Sequence, residues 1–224
     1  MSLALTEELY RIISPLVAAC KGPLGYDFSR DKFEYPGLYL SFERGETSVL
    51  DGCVVPRIVR VGITTKKPLS KRLSEHYDYR GISMFKWHVA CALLCKQNPH
   101  EILLATRQPY RADGFEDTLI SFMRQQYAFV GVEIQQDGHR TRLEKRLIAR
   151  LAQFPLGRPS DDWFGQYAVE TFRKTKTWRG PQPNEAIRSS GLWNVFHIGD
   201  IPANEEDLDL FRQYVEQTIR DHWQ

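Results

Sequence analysis

The sequence predicts a mixed α/β (α+β) fold: a small antiparallel sheet flanked by helices, with helical additions at both ends of a central core. Two observations carry this. Leu38 to Phe42 and Ile58 to Ile63 are short runs rich in β-branched and aromatic residues, the signature of neighbouring strands. The chain beyond Ile63 is mostly helical in period, with strand-like runs at Tyr127 to Ile134 and Leu192 to Ile198, so the order as far as Phe154 is β-β-α-α-(α)-β-α rather than the strict alternation of a doubly wound sheet.

Residues 4–20 place Leu5, Leu9, Ile12, Ile13, Leu16 and Val17 at helical spacing, with Pro15 expected to kink or divide the helix. A Gly/Pro/Asp-containing connection runs from Lys21 to Pro36. Between the first two strands, Glu43 to Pro56 holds Gly45, Gly52 and Pro56 and reads as a hairpin-like loop of some length. Pro68 starts a helix to about Tyr79, with Leu69, Leu73 and Tyr77 inward. Met84 to Lys96 and Gly114 to Gln126 read as further helices, and Tyr127 to Ile134 as a strand. His139 to Phe154 is a helix with Leu143, Leu147, Ile148 and Leu151 as its buried stripe, stopped by Pro155, Gly157 and Pro159. Ser160 is expected to cap a short helical turn, with Asp161 and Asp162 at its N-terminus. Phe172 to Arg188 reads as a basic surface loop, Leu192 to Ile198 as a short strand, and Glu205 to Trp223 as a terminal amphipathic helix. The expected organisation is a single domain over 1–224: an N-terminal helix and connection (1–36), a core (37–198) with a basic insertion at about 155–188, and a C-terminal helix (199–224).

Hydrophobic residues make up 42% and charged residues 26%, as expected for a soluble globular protein. The net charge of +2 does not announce a nucleic-acid partner, but its distribution does more. Six basic residues and no acid lie between Arg57 and Arg72. Six more lie between His139 and Arg158, with Glu144 the only acid. Such blocks can present a positive groove to phosphates. The four cysteines form no CxxC pair, which argues against a structural zinc and for reduced thiols in a cytoplasmic protein. No apolar run is long enough to span a bilayer, so no membrane partner is expected.

A few residues carry chemistry. Tyr39 follows Gly37 on the first strand, and Arg60 precedes Gly62 on the second, so both large side chains can project to one sheet face. Arg72 and His76 lie four apart on one helix face, able to hold a phosphate, although a solvated helix face has the same spacing. Glu144 continues the spacing of Leu147, Ile148 and Leu151, so its carboxylate lies on or beside the buried stripe. A carboxylate there is either paired, with Arg140 one turn earlier as its partner, or bound to a cation. A hard divalent ion accepts one or two protein carboxylates, several waters and a substrate phosphate.

Together these pieces resemble the GIY-YIG nuclease superfamily. Gly37-Leu38-Tyr39 matches its first strand, Arg72 and His76 its helix pair, Glu144 its metal ligand, and Asn194 in Leu192-Trp193-Asn194 its late asparagine, which the superfamily's restriction endonucleases carry in a similar Leu-Trp-Asn. The stretch from Arg57 to Gly62, Trp163-Phe164-Gly165 and Ser190 to Asn194 also resemble a bacterial subgroup of the superfamily. The resemblance implies a Mg²⁺- or Mn²⁺-dependent endonuclease acting on DNA, of restriction or other DNA-processing type, with a homodimer as one way to cut both strands. It implies a catalytic set of Tyr39, Arg60, Arg72, His76, Glu144 and Asn194, with Glu144 holding the metal and Asn194 orienting the glutamate or a metal-bound water. Lys66, Lys67, Lys71, Arg173, Lys174, Lys176, Trp178 and Arg179 become candidate DNA contacts. In one respect the sequence departs from the pattern: Arg60 stands where the family has its second tyrosine. A guanidinium there supplies positive charge that favours the Tyr39 phenolate. It also opens the alternative of a non-catalytic nucleic-acid-binding protein of the same fold. A second alternative is an unrelated α/β interaction domain, in which Tyr39, Arg72 and Glu144 would lie far apart.

Overall fold

The computed structural model describes residues 3–78, 83–97, 114–168 and 183–223. Among these, three strands form one antiparallel sheet in the order β2-β1-β3, with β1 Gly37–Leu50 in the centre, β2 Cys53–Ile63 on one edge and β3 Tyr127–Glu133 on the other. Helices cover both faces: α1 Ala4–Ala19, α2 Leu69–Tyr77, α3 Met84–Gln97, α4 Phe115–Gln126, α5 Asp137–Gln153, α6 Pro183–Ser190 and α7 Glu205–His222. This is the mixed α/β architecture predicted from the sequence.

The faces divide by residue parity, as a pleated strand requires. Leu38, Leu40 and Phe42 of β1 join Val130 and Val132 of β3 beneath α1, α5 and α7. The α5 stripe of Leu143, Leu147, Ile148 and Leu151 is buried there as expected. Tyr39 of β1 and Phe129 of β3 point the other way, into a second core with α2, α3 and α4. Helix α7 begins with a capping box in which Asn204 and Asp207 satisfy each other's backbone N–H groups.

Several expectations are corrected. Pro15 lies inside one continuous helix and does not divide it. Glu43 to Pro56 is not a loop: β1 and β2 run on to a two-residue turn at Asp51-Gly52, with φ of 51° and 78°. Two consecutive positive φ values describe the type I′ hairpin turn that Asp-Gly favours. Gly45 sits at φ 88° in an irregularity of β1, and Pro56 lies on edge strand β2, where a missing N–H is tolerated. Leu192 to Ile198 forms no strand. Ser160 does not cap the 3₁₀ turn at Phe164–Tyr167; its hydroxyl bonds the Glu46 carboxylate instead. Within the basic segment, Pro183–Ser190 is helical rather than loop. Arg173, Lys174, Lys176, Trp178 and Arg179 lie outside the described residues.

Candidate active site

Register builds the site. Tyr39 pairs with Gly62 on β2 and with Gly131 on β3, so its ring has a glycine on each side. A Cβ at Gly62 would lie 2.4 Å from the Tyr39 hydroxyl, so the second glycine exists to make room for the tyrosine. A Cβ at Gly37 would collide with the Val132 carbonyl at 2.2 Å, which fixes the first. Between Ser41 and Phe42 the pairing skips Val59, an extra residue on β2. This bulge lets Ile58 and Val61 both face one core while Arg60 shares the face of Tyr39.

The Tyr39 hydroxyl is the meeting point. It lies 2.9 Å from His76 Nε2, and Arg60 Nε donates to it at 3.4 Å. Arg60 is further held by the Trp193 carbonyl at 3.0 Å and lies over the Phe85 ring at 4.9 Å. Arg72 also lies beside Tyr39: burial works against its charge, but Tyr39 and Glu75 outweigh this and raise its pKa further. The phenol is 0% exposed, so His76, Arg60 and Arg72 enclose its hydroxyl.

His76 is nearly as buried. Burial first, then the charges of Arg72, Arg60, Lys86 and Lys67, push its pKa well below the ordinary value, so the ring is neutral at physiological pH. Its Nδ1 lies 2.8 Å from Ser83 Oγ.

Glu144 approaches from α5, which packs on β2. The ion pair with Arg140 is not formed. Arg140 donates to the carbonyls of Ile134, Gln135 and Thr65 and to Asp137. Among the described residues Glu144 has no hydrogen bond or close ion pair; it is half-buried and feels the charges of Arg60, His197, Arg72 and Lys145 through space. Burial raises its pKa above the ordinary carboxylate value against their pull. Tyr39, Arg60, Arg72, His76 and Glu144 therefore converge, whereas an unrelated interaction domain would have left them scattered.

Asn194 has a different place from the one expected. Its Oδ1 accepts from Val61 N–H at 3.0 Å and its Nδ2 donates to the Val61 carbonyl at 2.8 Å. Trp193 N–H donates to Val59 O at 2.7 Å. The segment thus closes the β2 edge through the Trp193 backbone N–H and the Asn194 amide side chain, and Asn194 anchors the chain that holds Arg60 rather than orienting Glu144.

Among the proposed DNA contacts, Lys66 and Lys71 are exposed beside the site, while Lys67 is paired with Glu75. Glu75 also binds Arg72 at 3.1 Å, and the two cations hold its carboxyl below the ordinary range despite burial. Sequence reasoning missed this double pairing and missed Ser83. A serine directly before an apolar helix is an N-cap signal and could have been read. It also missed the polar cluster further along the hairpin. There Arg57 donates twice to Glu46, at 2.8 and 2.6 Å, and once to Gly191 O at 2.7 Å. Glu43 accepts from Phe164 N–H and the Trp193 indole.

Among the described residues no three His, Cys, Asp or Glu side chains cluster to hold a metal, and no helix is long and apolar enough to cross a membrane. Searches of curated proteins and of solved structures return no match. A family model of the GIY-YIG domain does match, over residues 2–221, and on that match the chain, with its Gly-Leu-Tyr strand facing the glycine of Arg-Val-Gly, belongs to the GIY-YIG family of nuclease-type domains.

Proposed function

We propose that this protein is a metal-dependent endonuclease that hydrolyses DNA phosphodiester bonds, as a restriction-type or other DNA-processing enzyme. The observation that carries the reading is the convergence of a tyrosine hydroxyl, two guanidinia and a half-buried carboxylate without a partner among the described residues.

Tyr39 is the group that takes a proton from the attacking water as its own hydroxyl proton passes to His76 Nε2, 2.9 Å away, and Arg72 neutralises charge that grows on the phosphoryl oxygens. Arg60 stands where the family has its second tyrosine and supplies positive charge at the Tyr39 oxygen. Glu144 suits a hard cation: it is an oxygen donor, desolvated, and without a hydrogen-bond partner among the described residues. One carboxylate completed by water and phosphate oxygens is a coordination that Mg²⁺ or Mn²⁺ accepts. When bound, such an ion polarises the phosphate and stabilises the leaving oxygen. Lys66, Lys67, Lys71 and the basic residues 173–179 are assigned salt-sensitive affinity for the DNA backbone. Cutting both strands then requires a homodimer or two successive nicks.

Tyr39 is enclosed, so water reaches it only when a guanidinium shifts. Substrate phosphate, competing with Glu75 for Arg72, supplies that pull. The same enclosure, with Arg60 in a tyrosine position, favours a second reading: a DNA-binding protein of this fold that no longer cuts.

Supercoiled plasmid at low salt with Mg²⁺ or Mn²⁺ separates the two. The nuclease reading expects cutting by the wild type, loss of cutting in Glu144→Ala, and a drop of about 10²–10⁴-fold in Tyr39→Phe. DNA binding without cutting establishes the second reading.

A further inference from the structure

Phe196 and Ile201 flank one four-residue turn, His197 to Asp200, which is closed by Asp200 N–H donating to His197 O at 3.2 Å. The ends of such a turn lie within about 7 Å of each other, so the two residues just outside it project from one place. Both are large and apolar, and both are turned to water, at 56% and 67% exposed. The turn is held from several sides. His197 has φ of 68°, a left-handed conformation uncommon outside glycine that persists where the surroundings impose it. Its Nδ1 lies 2.7 Å from Asp200 Oδ2. From α5, Gln153 donates to the carbonyls of Ile198 and Asp200 at 3.1 and 2.7 Å, and Arg150 donates to Ala203 O at 3.0 Å. The same segment buries Trp193 and Val195, yet it leaves the Phe196 ring in water. That forgoes burial the ring would otherwise contribute, and an apolar patch with a polar rim marks a contact surface.

Its position identifies what it meets. The segment leaves the site at Trp193, whose carbonyl holds Arg60 at 3.0 Å, and returns to it at His197, which acts through space on Glu144. Phe196 lies between the two, on the rim between the guanidinium and the carboxylate. The exposed Lys145 adjoins Glu144 on α5. A phosphate held between Arg60 and Glu144 therefore brings a flanking base to Phe196. The other exposed apolar pair, Val49 and Val54, faces across the hairpin end at Asp51-Gly52, the opposite end of β2 from Arg60.

We propose that Phe196, with Ile201 beside it, is an apolar wedge that packs against a base flanking the scissile phosphate. Phe and Ile are among the side chains that enter base steps and partly unstack them, and every base offers a ring its π-face, so the contact needs no particular sequence. Unstacking a paired base costs free energy, and a mismatched base costs least to displace. The wedge rests on the proposed function for its DNA, but it is read in binding and needs no cleavage.

The test is fluorescence anisotropy in EDTA, where nothing is cut, with a labelled duplex carrying one central mismatch and with its fully paired counterpart. The wild type should prefer the mismatched duplex. Phe196→Ala should weaken binding to that duplex about 5–150-fold, the worth of one base stacked on an aromatic ring, and should erase the preference. Its salt dependence should keep the wild-type slope, since no charge is removed, whereas Lys71→Ala should flatten the slope by about one. Phe196→Trp keeps a ring at the turn and should retain both affinity and preference. A wild type without preference, equal losses on both duplexes, or a Phe196→Trp protein as weak as Phe196→Ala overturns the proposal. So does a Phe196→Ala protein that binds both duplexes as the wild type does; if it also sediments as a smaller species, the pair is a contact between copies of the chain. If the wild type binds neither duplex, the proposed function falls and the wedge with it. If binding follows the expectation while plasmid with Mg²⁺ stays intact, the wedge stands and the non-cutting reading holds.

Discussion

Two polar clusters lie on the same two strands, and they differ in how completely their groups are paired. In the first, Arg57 and Glu46 are both buried and their bonds close: Arg57 meets Glu46 twice and Gly191 once, and Glu46 also accepts from Ser160. In the second, around Tyr39, cations outnumber anions. Arg60 and Arg72 press on one hydroxyl, Arg72 shares Glu75 with Lys67, and Glu144 lies nearby without a partner among the described residues. A buried polar network that is fully satisfied rigidifies what it joins. The first does this, tying the segments at Ser160 and Gly191 to the hairpin. The second retains the unmatched charge and the raised carboxyl that a phosphate and a metal would complete. Glu43 and Glu46 are brought inside by the same device that aims Arg60, an irregular pairing of β1 with β2: Glu43 to Glu46 face Arg57 alone.

The sharpest way to break this contrast is Arg57→Ala. Removing one partner of a buried ion pair leaves the other charge uncompensated, which costs about 3–5 kcal/mol. Urea denaturation should show that loss, and protein that remains folded at low temperature should still cut DNA. Unchanged stability with abolished cutting would mean that the first cluster belongs to the chemistry and the division is wrong.

Glu144→Gln should move stability the other way. Burial raises the pKa of this carboxyl in the folded protein, so the fold retains a proton that the unfolded chain has already lost. Over that interval the unfolded state binds fewer protons than the native state, and stability falls as pH rises. The cost persists at neutral pH and vanishes once both states are protonated. The amide avoids it. Glu144→Gln should therefore unfold later than the wild type near neutral pH, with the gain lost once the pH falls below the ordinary carboxylate range, while cutting is abolished. A variant that is less stable at neutral pH would show that Glu144 has a structural partner after all.

These contrasts were unequally visible in the sequence. The longer helices were legible because each carries an apolar stripe; Leu143, Leu147, Ile148 and Leu151 are buried as their spacing required, whereas the short helix Pro183–Ser190 was hidden in a basic, Pro-containing segment. The hairpin was half legible. Gly45 and Pro56 hid the strands as far as Asp51-Gly52, although that dipeptide is itself a turn signal, because an irregular strand breaks the alternation by which strands are read. Leu192 to Ile198 read as a short strand, but it meets β2 through one backbone N–H, that of Trp193, and otherwise through the Asn194 side chain. Periodicity placed Tyr39 on a strand and Arg72 with His76 on one helix face, but it was the resemblance to the GIY-YIG motifs that marked them as a site. Local spacing cannot reveal Lys67 and Arg72 sharing Glu75, or Ser83 reaching His76, since these contacts join side chains whose directions depend on the packed fold.

Glu75→Gln gives the smallest effect and the most direct check on the second cluster. Glu75 occupies Lys67 and Arg72 much as a phosphate would, and on the proposed function DNA would have to displace it. Partly exposed pairs of this kind are worth about 0.2–1 kcal/mol each, so removing the charge should tighten DNA binding several-fold at low salt. The gain should shrink as salt rises, because salt weakens the pairs that held the cations back. Fluorescence anisotropy with a labelled duplex across a salt series measures this directly. Tighter binding with a lower kcat would mean that Glu75 also aims Arg72 at the transition state. Unchanged affinity at every salt concentration would place Lys67 and Arg72 off the DNA path, and the cations of the second cluster would then need another partner.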